Sequence, residues 1–325
     1  MNTINWGIIG CGDVTEKKSG PAFNKVPNSK LVAVMRRDAE KARDYAQRHG
    51  VGKYYTDALQ LINDPDVNAI YVATPPLNHE ELTIAALQAN KPVYVEKPMA
   101  LNSVACRRMV EASERYNTKL TVAHYRRALP MFIKIKELLQ QIGRILFVNI
   151  DFIQPAQSEL MANSGTNWRV DPAVSGGGLF HDMAPHHIDI LLYLFGDPVY
   201  AAGYPANQGK LYQADDVVSG IVAFNNQIVC KGLWHFNSPE GISKDECEIT
   251  GTSGKIKFSF HSFSCTLTQG EKEETFHFPS PEHIQQPMID LVVQYFNGSS
   301  TINPCPGEEG IKVMEVMDSF TRNNQ

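Results

Sequence analysis

The feature that most restricts the fold is a regular alternation, over roughly the first 125 residues, of short apolar runs with helical stretches. Ile4 to Ile9, Lys30 to Met35, Tyr54-Tyr55, Asn68 to Ala73, Pro92 to Val95 and Lys119 to Tyr125 read as strands. Ala39 to Arg48, Asp57 to Ile62, Glu80 to Gln88 and Asn102 to Tyr116 read as helices between them. Continuous apolar runs, rather than alternating ones, belong to strands buried on both faces. Strand and helix taking turns in this way predict a doubly wound parallel sheet. Ligands of such sheets bind outside the carboxyl ends of the strands, so the residues there carry the functional information.

After the first strand comes Gly10-Cys11-Gly12-Asp13-Val14-Thr15. Two glycines in this place allow a tight turn and let main-chain N–H groups approach a pyrophosphate at a helix start. The third fingerprint position holds Thr15 instead of Gly or Ala, which predicts looser helix–strand packing there. The second strand ends on Arg36-Arg37, with Asp38 only afterwards. An acidic residue at that strand end selects NAD through the adenosine ribose, whereas a guanidinium can clamp a 2′-phosphate. The pattern favours NADP; in the competing reading both arginines are solvated and Asp38 reaches back to the ribose. The fourth strand runs into Thr74-Pro75 with His79, and the fifth into Glu96-Lys97-Pro98. Pro98 forces a turn, which places the Lys97 head where nicotinamide chemistry could occur.

The chain has 325 residues, more than the ~250–300 at which a single core stops growing, so two domains are expected. The change of pattern puts the boundary near Ala123, with 1–123 as the dinucleotide domain and 124–325 as an α+β domain. Ala128 to Ile142 and Leu179 to Leu194 read as helices. Ile145 to Gln154, Val217 to Phe224, Ile228 to Phe236, Glu246 to Thr250, Lys255 to Phe260, Thr266 to Gln269 and Glu274 to Phe278 read as strands of a mostly antiparallel sheet. Two helices, near Pro287 to Phe296 and Glu308 to Phe320, close the chain. A net charge of −5 and the lack of any basic block argue against a nucleic-acid partner. No run approaches a membrane span, and Met1 to Trp6 has no signal-peptide character. Six scattered cysteines without close pairs fit a reduced, cytoplasmic setting.

In the second half, Asp182 and His186 share one helix face at i, i+4, with Asp189 further along it. A carboxylate beside an imidazole suits general acid/base work; an ordinary cap plus a satisfied core histidine is the plainer alternative. The preceding Ser175-Gly176-Gly177-Gly178 predicts close approach of another molecule to the helix start. His181 and His187 point off that face and no cysteines lie nearby, so no metal site is expected. Trp168-Arg169, in the loop with Asn167, reads as an aromatic wall and a hydroxyl or anion donor, or as a packed anchor. Tyr125 and Arg126, with Arg127, face the same cleft or form a solvated basic turn.

The glycine turn, Thr74-Pro75 with His79, Glu96-Lys97-Pro98, and Gly177-Gly178 followed by Asp182 and His186 together resemble the Gfo/Idh/MocA oxidoreductases over essentially the whole chain. The resemblance implies a nicotinamide cofactor held by the first domain and a sugar, polyol or cyclic alcohol held by the second. It implies that Lys97 positions cofactor and substrate and assists proton transfer, that His186 is the acid/base, and that Asp182 lies in the substrate site. Glu96 is then expected to balance part of the Lys97 charge. In relatives the lysine–proline bond is often cis, and pairing through the second domain's sheet, as dimer or tetramer, is common. The expectation is an NADP-dependent (alternatively NAD-dependent) oxidoreductase. The rivals are an NAD-dependent glycoside hydrolase of the same family and a catalytically silent dinucleotide-binding sensor.

Overall fold

The computed structural model describes residues 3–156 and 168–321; Met1, Asn2 and Asn167 lie outside the described residues. Its first parallel sheet is built from β1 (Ile4–Ile9), β2 (Ser29–Met35), β3 (Lys53–Tyr55), β4 (Ala69–Val72), β5 (Val93–Val95) and β6 (Leu120–Val122). Between them lie α1 (Asp13–Lys17), α2 (Ala39–Arg48), α3 (Ala58–Ile62), α4 (His79–Gln88) and α5 (Ser103–Arg115). The strand order is β3-β2-β1-β4-β5-β6, all parallel. Every residue of β4, β5 and β6 is buried. Helices therefore cover both faces of the sheet, which is why these runs are apolar without alternation. Short polar side chains start the helices: Asp38, Asp57 and Asn102 accept from Lys41 N, Gln60 N and Ala105 N. Each such cap is worth about 1 kcal/mol. The strand order reverses between β1 and β4, and that switch point is where a crevice opens at the carboxyl edge.

The second sheet follows α6 (Pro130–Leu138) with β7 (Ile145–Pro155), then α7 (Pro172–Ser175) and α8 (Gly178–Phe195). The remaining strands are β8 (Pro198–Ala206), β9 (Val217–Phe224), β10 (Val229–Ser238), β11 (Lys244–Gly251), β12 (Lys255–Phe258), β13 (Ser264–Gln269) and β14 (Lys272–His277). The order is β14-β13-β12-β11-β7-β10-β9-β8, antiparallel throughout except for β7 against β10. Burial alternates along β10 and β11, because helices cover one face only. On that face Phe132 stacks on Phe260 at 6.2 Å and Phe180 meets Trp234 edge-on at 5.4 Å. Phe147, Tyr200, Tyr204, Ile221 and Val229 stand exposed on the other. Among the described residues no helix is long and apolar enough to cross a membrane.

The chain ends with α9 (Gln286–Phe296) and α10 (Gly307–Thr321). Two compact units result: Met1–Arg126 with Pro281–Ile311, and Arg127–Ser280 with Lys312–Gln325. This differs from a single cut near Ala123, because residues 281–311 return to the first unit. The return covers what the parallel sheet leaves open. Phe296 packs on Trp6 at 5.6 Å, Val122 N donates to Cys305 O at 2.9 Å, and Thr121 bridges Pro306. A fully buried Trp6 needs an apolar lid, and α9 supplies Met288, Ile289, Val292 and Val293 toward the core.

Candidate active site

Register fixes the edge of the first sheet. Ile9 pairs with Met35 and Val72, Val72 with Val95, and Val95 with Val122. Gly10, Arg36, Ala73, Glu96 and Ala123 therefore emerge side by side where the strands end. Gly10 has φ +94, and a Cβ there would lie 2.8 Å from Thr74 N. Only glycine admits that approach. Around Gly12 an added Cβ would meet nothing closer than Gly10 O at 3.9 Å, so the turn is open on its ligand side. Asp13 and Val14 begin α1 behind it. Thr15 does not loosen the packing as expected. It is fully buried, its hydroxyl donates to Gly12 O at 2.8 Å, and Tyr45 OH donates to its carbonyl at 2.8 Å. The added polarity is satisfied locally. Burial pushes the Cys11 thiol up to about 11, which keeps it protonated and inert at this turn.

Arg36 Nη1 donates to Cys11 O at 3.2 Å, which holds the guanidinium beside the glycine turn; Arg37 is exposed. Asp38 is occupied elsewhere. Its carboxylate accepts from Lys41 N at 3.1 Å and pairs with Lys41 Nζ at 3.6 Å. Thr74 Oγ1 is buried without a hydrogen-bond partner, next to Pro75 at the end of β4. His79 lies behind it, its ring nitrogens 2.7 Å from Thr74 O and 3.0 Å from Pro98 O. Burial lowers the affinity of this imidazole for a proton, and the neutral ring, with a single N–H, donates to one of these two carbonyls. The Lys97–Pro98 bond is cis. Glu96 is buried, and its carboxylate accepts from Tyr71 OH, from Gln285 Nε2 at 2.6 Å and from the main-chain N–H of Lys97 at 3.2 Å. The Glu96 carboxylate is thus held by a network that includes neutral donors. Nothing in the local sequence announces Tyr71 or Gln285, since each reaches Glu96 from a distant part of the chain. Tyr125 and Arg126 follow β6, both buried, the guanidinium 5.4 Å from the Tyr125 ring centre.

In the second unit, Asp182 and His186 stand one turn apart on α8, with His186 buried. Asp182 accepts from Arg169 Nε at 3.1 Å. Arg169 is 7% exposed, lies 4.5 Å from the Trp168 ring centre, and keeps Nη1 buried without a partner. A buried N–H of this kind seeks an acceptor. Asp189 pairs with Arg127, Nη2 to Oδ1 at 2.7 Å. His187 is core: Trp234 Nε1 donates to its Nδ1 at 2.7 Å. Burial lowers His181 to about 4. At Gly177 and Gly178 it is the chain itself that comes close. A Cβ on Gly177 would lie 2.1 Å from His181 Nδ1, and one on Gly178 2.3 Å from Ala214 Cβ. Among the described residues no group of three or more His, Cys, Asp or Glu is placed to hold a metal ion.

Residues 4–124 match the model of an oxidoreductase family with an NAD-binding Rossmann fold, and residues 132–257 that of the GFO/IDH/MocA C-terminal domain. The chain is 46% identical over 319 residues to Oxidoreductase P35 of Formosa agariphila, covering 98% of each chain. It is 28% identical over 256 residues to 1,5-anhydro-D-fructose reductase of Ensifer adhaerens, covering 77% of this chain and 74% of that one. A solved structure of levoglucosan dehydrogenase in complex with NADH superposes with a TM-score of 0.84 at 22% identity, over 98% of this chain and 96% of that one.

Proposed function

The chain belongs to the Gfo/Idh/MocA family of oxidoreductases, and from that premise we propose that it moves a hydride between NADP and a hydroxyl or carbonyl group of a sugar, polyol or related cyclic alcohol. The observation carrying this reading is the strand edge itself. An open glycine turn, a guanidinium, an unpartnered Thr74 hydroxyl and the Glu96-Lys97 segment emerge there side by side. These residues fit a dinucleotide. Gly10, Gly12, Asp13 and Val14 would line the pyrophosphate, Arg36 and Arg37 the adenosine end, and Thr74, Pro75, His79, Glu96 and Lys97 the nicotinamide end. When bound, the nicotinamide accepts or donates the hydride. Lys97 polarises the reacting oxygen, and His186 takes up the hydroxyl proton on oxidation or returns it on reduction. Asp182, held by Arg169, accepts from a substrate hydroxyl, while the spare Arg169 N–H donates to another oxygen. Trp168, Tyr125 and Arg126 complete the substrate-binding set.

NADP is favoured over NAD because Asp38 is spent on its helix cap and Arg36 is held beside the turn. The NADH bound to levoglucosan dehydrogenase belongs to a relative at 22% identity and leaves this choice to measurement. A reduced cytoplasmic setting is supported by six free cysteines, and a sheet-to-sheet dimer or tetramer by the exposed apolar residues of the second sheet. The test is a panel of sugars, inositols and cyclic diols followed at the nicotinamide absorbance. Free sugar released with no net absorbance change would show a hydrolase. Dinucleotide binding with no turnover of any panel member or glycoside would show a sensor.

A further inference from the structure

The first unit holds one polar cluster that the cofactor edge alone does not explain. Glu96, buried at the end of β5, takes hydrogen bonds from Tyr71 OH and from Gln285 Nε2 at 2.6 Å. Burial and the Glu96 carboxylate push the Tyr71 phenol well up, so it stays protonated as a donor. Gln285 is itself almost fully buried, in the turn that opens α9. Its amide oxygen accepts from Tyr94 OH at 3.3 Å, and its main-chain N–H donates to Lys18 O at 3.1 Å. Two residues earlier, the His283 ring lies 2.7 Å from Lys17 O. Tyr71 OH also meets Ser19 Oγ at 3.1 Å. One residue of the returning segment therefore ties the end of α1, behind the glycine turn, to the strand end that carries Lys97, its main-chain N–H reaching the first and its side-chain amide the second.

We propose that Gln285 is a positioning residue for hydride transfer, holding the pyrophosphate turn and the Glu96-Lys97 segment in fixed relation. The role rests on the reading of Lys97 given above, and it makes the segment 281–311 part of the cofactor-binding machinery. The amide is well chosen. It donates to a buried carboxylate and accepts from a phenol, and neither alanine nor glutamate can do both at neutral pH.

Gln285→Glu sets a second carboxylate against Glu96. Two carboxylates in hydrogen-bond contact share one proton, with an upper apparent pKa above the ordinary value of about 4.3. Below that pKa the shared proton restores the tie. Above it both groups ionise and repel, and the tie opens. NADPH binding, measured by nicotinamide fluorescence without substrate from pH 5.5 to 8.5, reads this directly, with each variant expressed relative to wild type at the same pH. For Gln285→Glu the relative affinity is expected to fall by roughly tenfold or more between those limits and to recover on return to low pH. Gln285→Ala should bind more weakly at every pH with no such slope, and relative kcat should follow the same patterns. Circular dichroism at each pH separates opening of the tie from unfolding. A flat Gln285→Glu ratio overturns the proposal. So does wild-type affinity and turnover in Gln285→Ala, including the case where Gln285→Glu unfolds at high pH. Because the binding arm uses no substrate, full turnover in Lys97→Ala would sink the catalytic reading while leaving this test standing.

Discussion

Cofactor choice turns on one side chain, and its removal can be worked through from the structure. Arg36 spends Nη1 on Cys11 O at 3.2 Å, which aims the guanidinium along the turn and leaves its remaining N–H groups for a ligand. A hydrogen bond to a charged phosphate is worth about 1.5–3 kcal/mol. At ~1.4 kcal/mol per tenfold, that is a preference for NADP over NAD of roughly ten- to a hundredfold. Asp38 cannot easily offset the loss, because releasing its carboxylate uncaps α2 at a cost of about 1 kcal/mol. Arg36→Ala should therefore lose most of the preference by weakening NADP, with NAD affinity changing little. Titration of both dinucleotides against wild type and variant, at fixed salt, measures it. Equal binding of NAD and NADP by wild type would refute the reasoning, as would an unchanged ratio in Arg36→Ala.

Three other expectations follow from the same geometry. The Arg48 guanidinium, with help from His49, holds the Glu16 carboxyl down at about 2 against the drag of burial. A depressed carboxyl stabilises the fold above its unfolded pKa and loses that contribution as pH falls toward the folded value. The Tm difference between wild type and Glu16→Gln should be full at pH 7 and shrink from about pH 4.5 toward 2; a constant difference contradicts it. Trp234→Phe removes the donor to His187 Nδ1 in the core and should cost about 1–3 kcal/mol in urea unfolding. An unchanged midpoint would show that bond to be idle. Wild type should sediment as a dimer or tetramer at micromolar concentration, and Tyr204→Arg with Ile221→Arg should shift it toward monomer; a monomeric wild type would end the sheet-pairing proposal.

The parallel half of the chain was legible because its constraints are local. Strands buried on both faces must be uniformly apolar, and each functional turn lies next to the strand that places it, as Gly10 does after β1 and Lys97 after β5. Pairings across the chain were not legible. Gln285 meets Glu96 from 189 residues away, and no periodicity encodes that contact. For the same reason the return of residues 281–311 escaped a reading that cuts the chain once. The glycines before α8 marked a close approach, but spacing could not show that His181 and Ala214 are the neighbours of Gly177 and Gly178. Spacing placed Asp182 and His186 on one face, but it could not show that Arg169, outside that helix, donates to the carboxylate.

The central claim is hydride transfer assisted by Lys97 and His186, and deuterium tracing tests it most directly. The protein would be incubated with NADPH deuterated at C4 and with carbonyl forms of the sugars and cyclic diols in the panel. The account predicts one deuterium on the former carbonyl carbon of a product. It further predicts a rate lowered by roughly 10²-fold or more in Lys97→Ala and in His186→Ala, the usual scale for a positioned acid or base. Product formed without deuterium at that carbon, or formed at near wild-type rate by both variants, would contradict it.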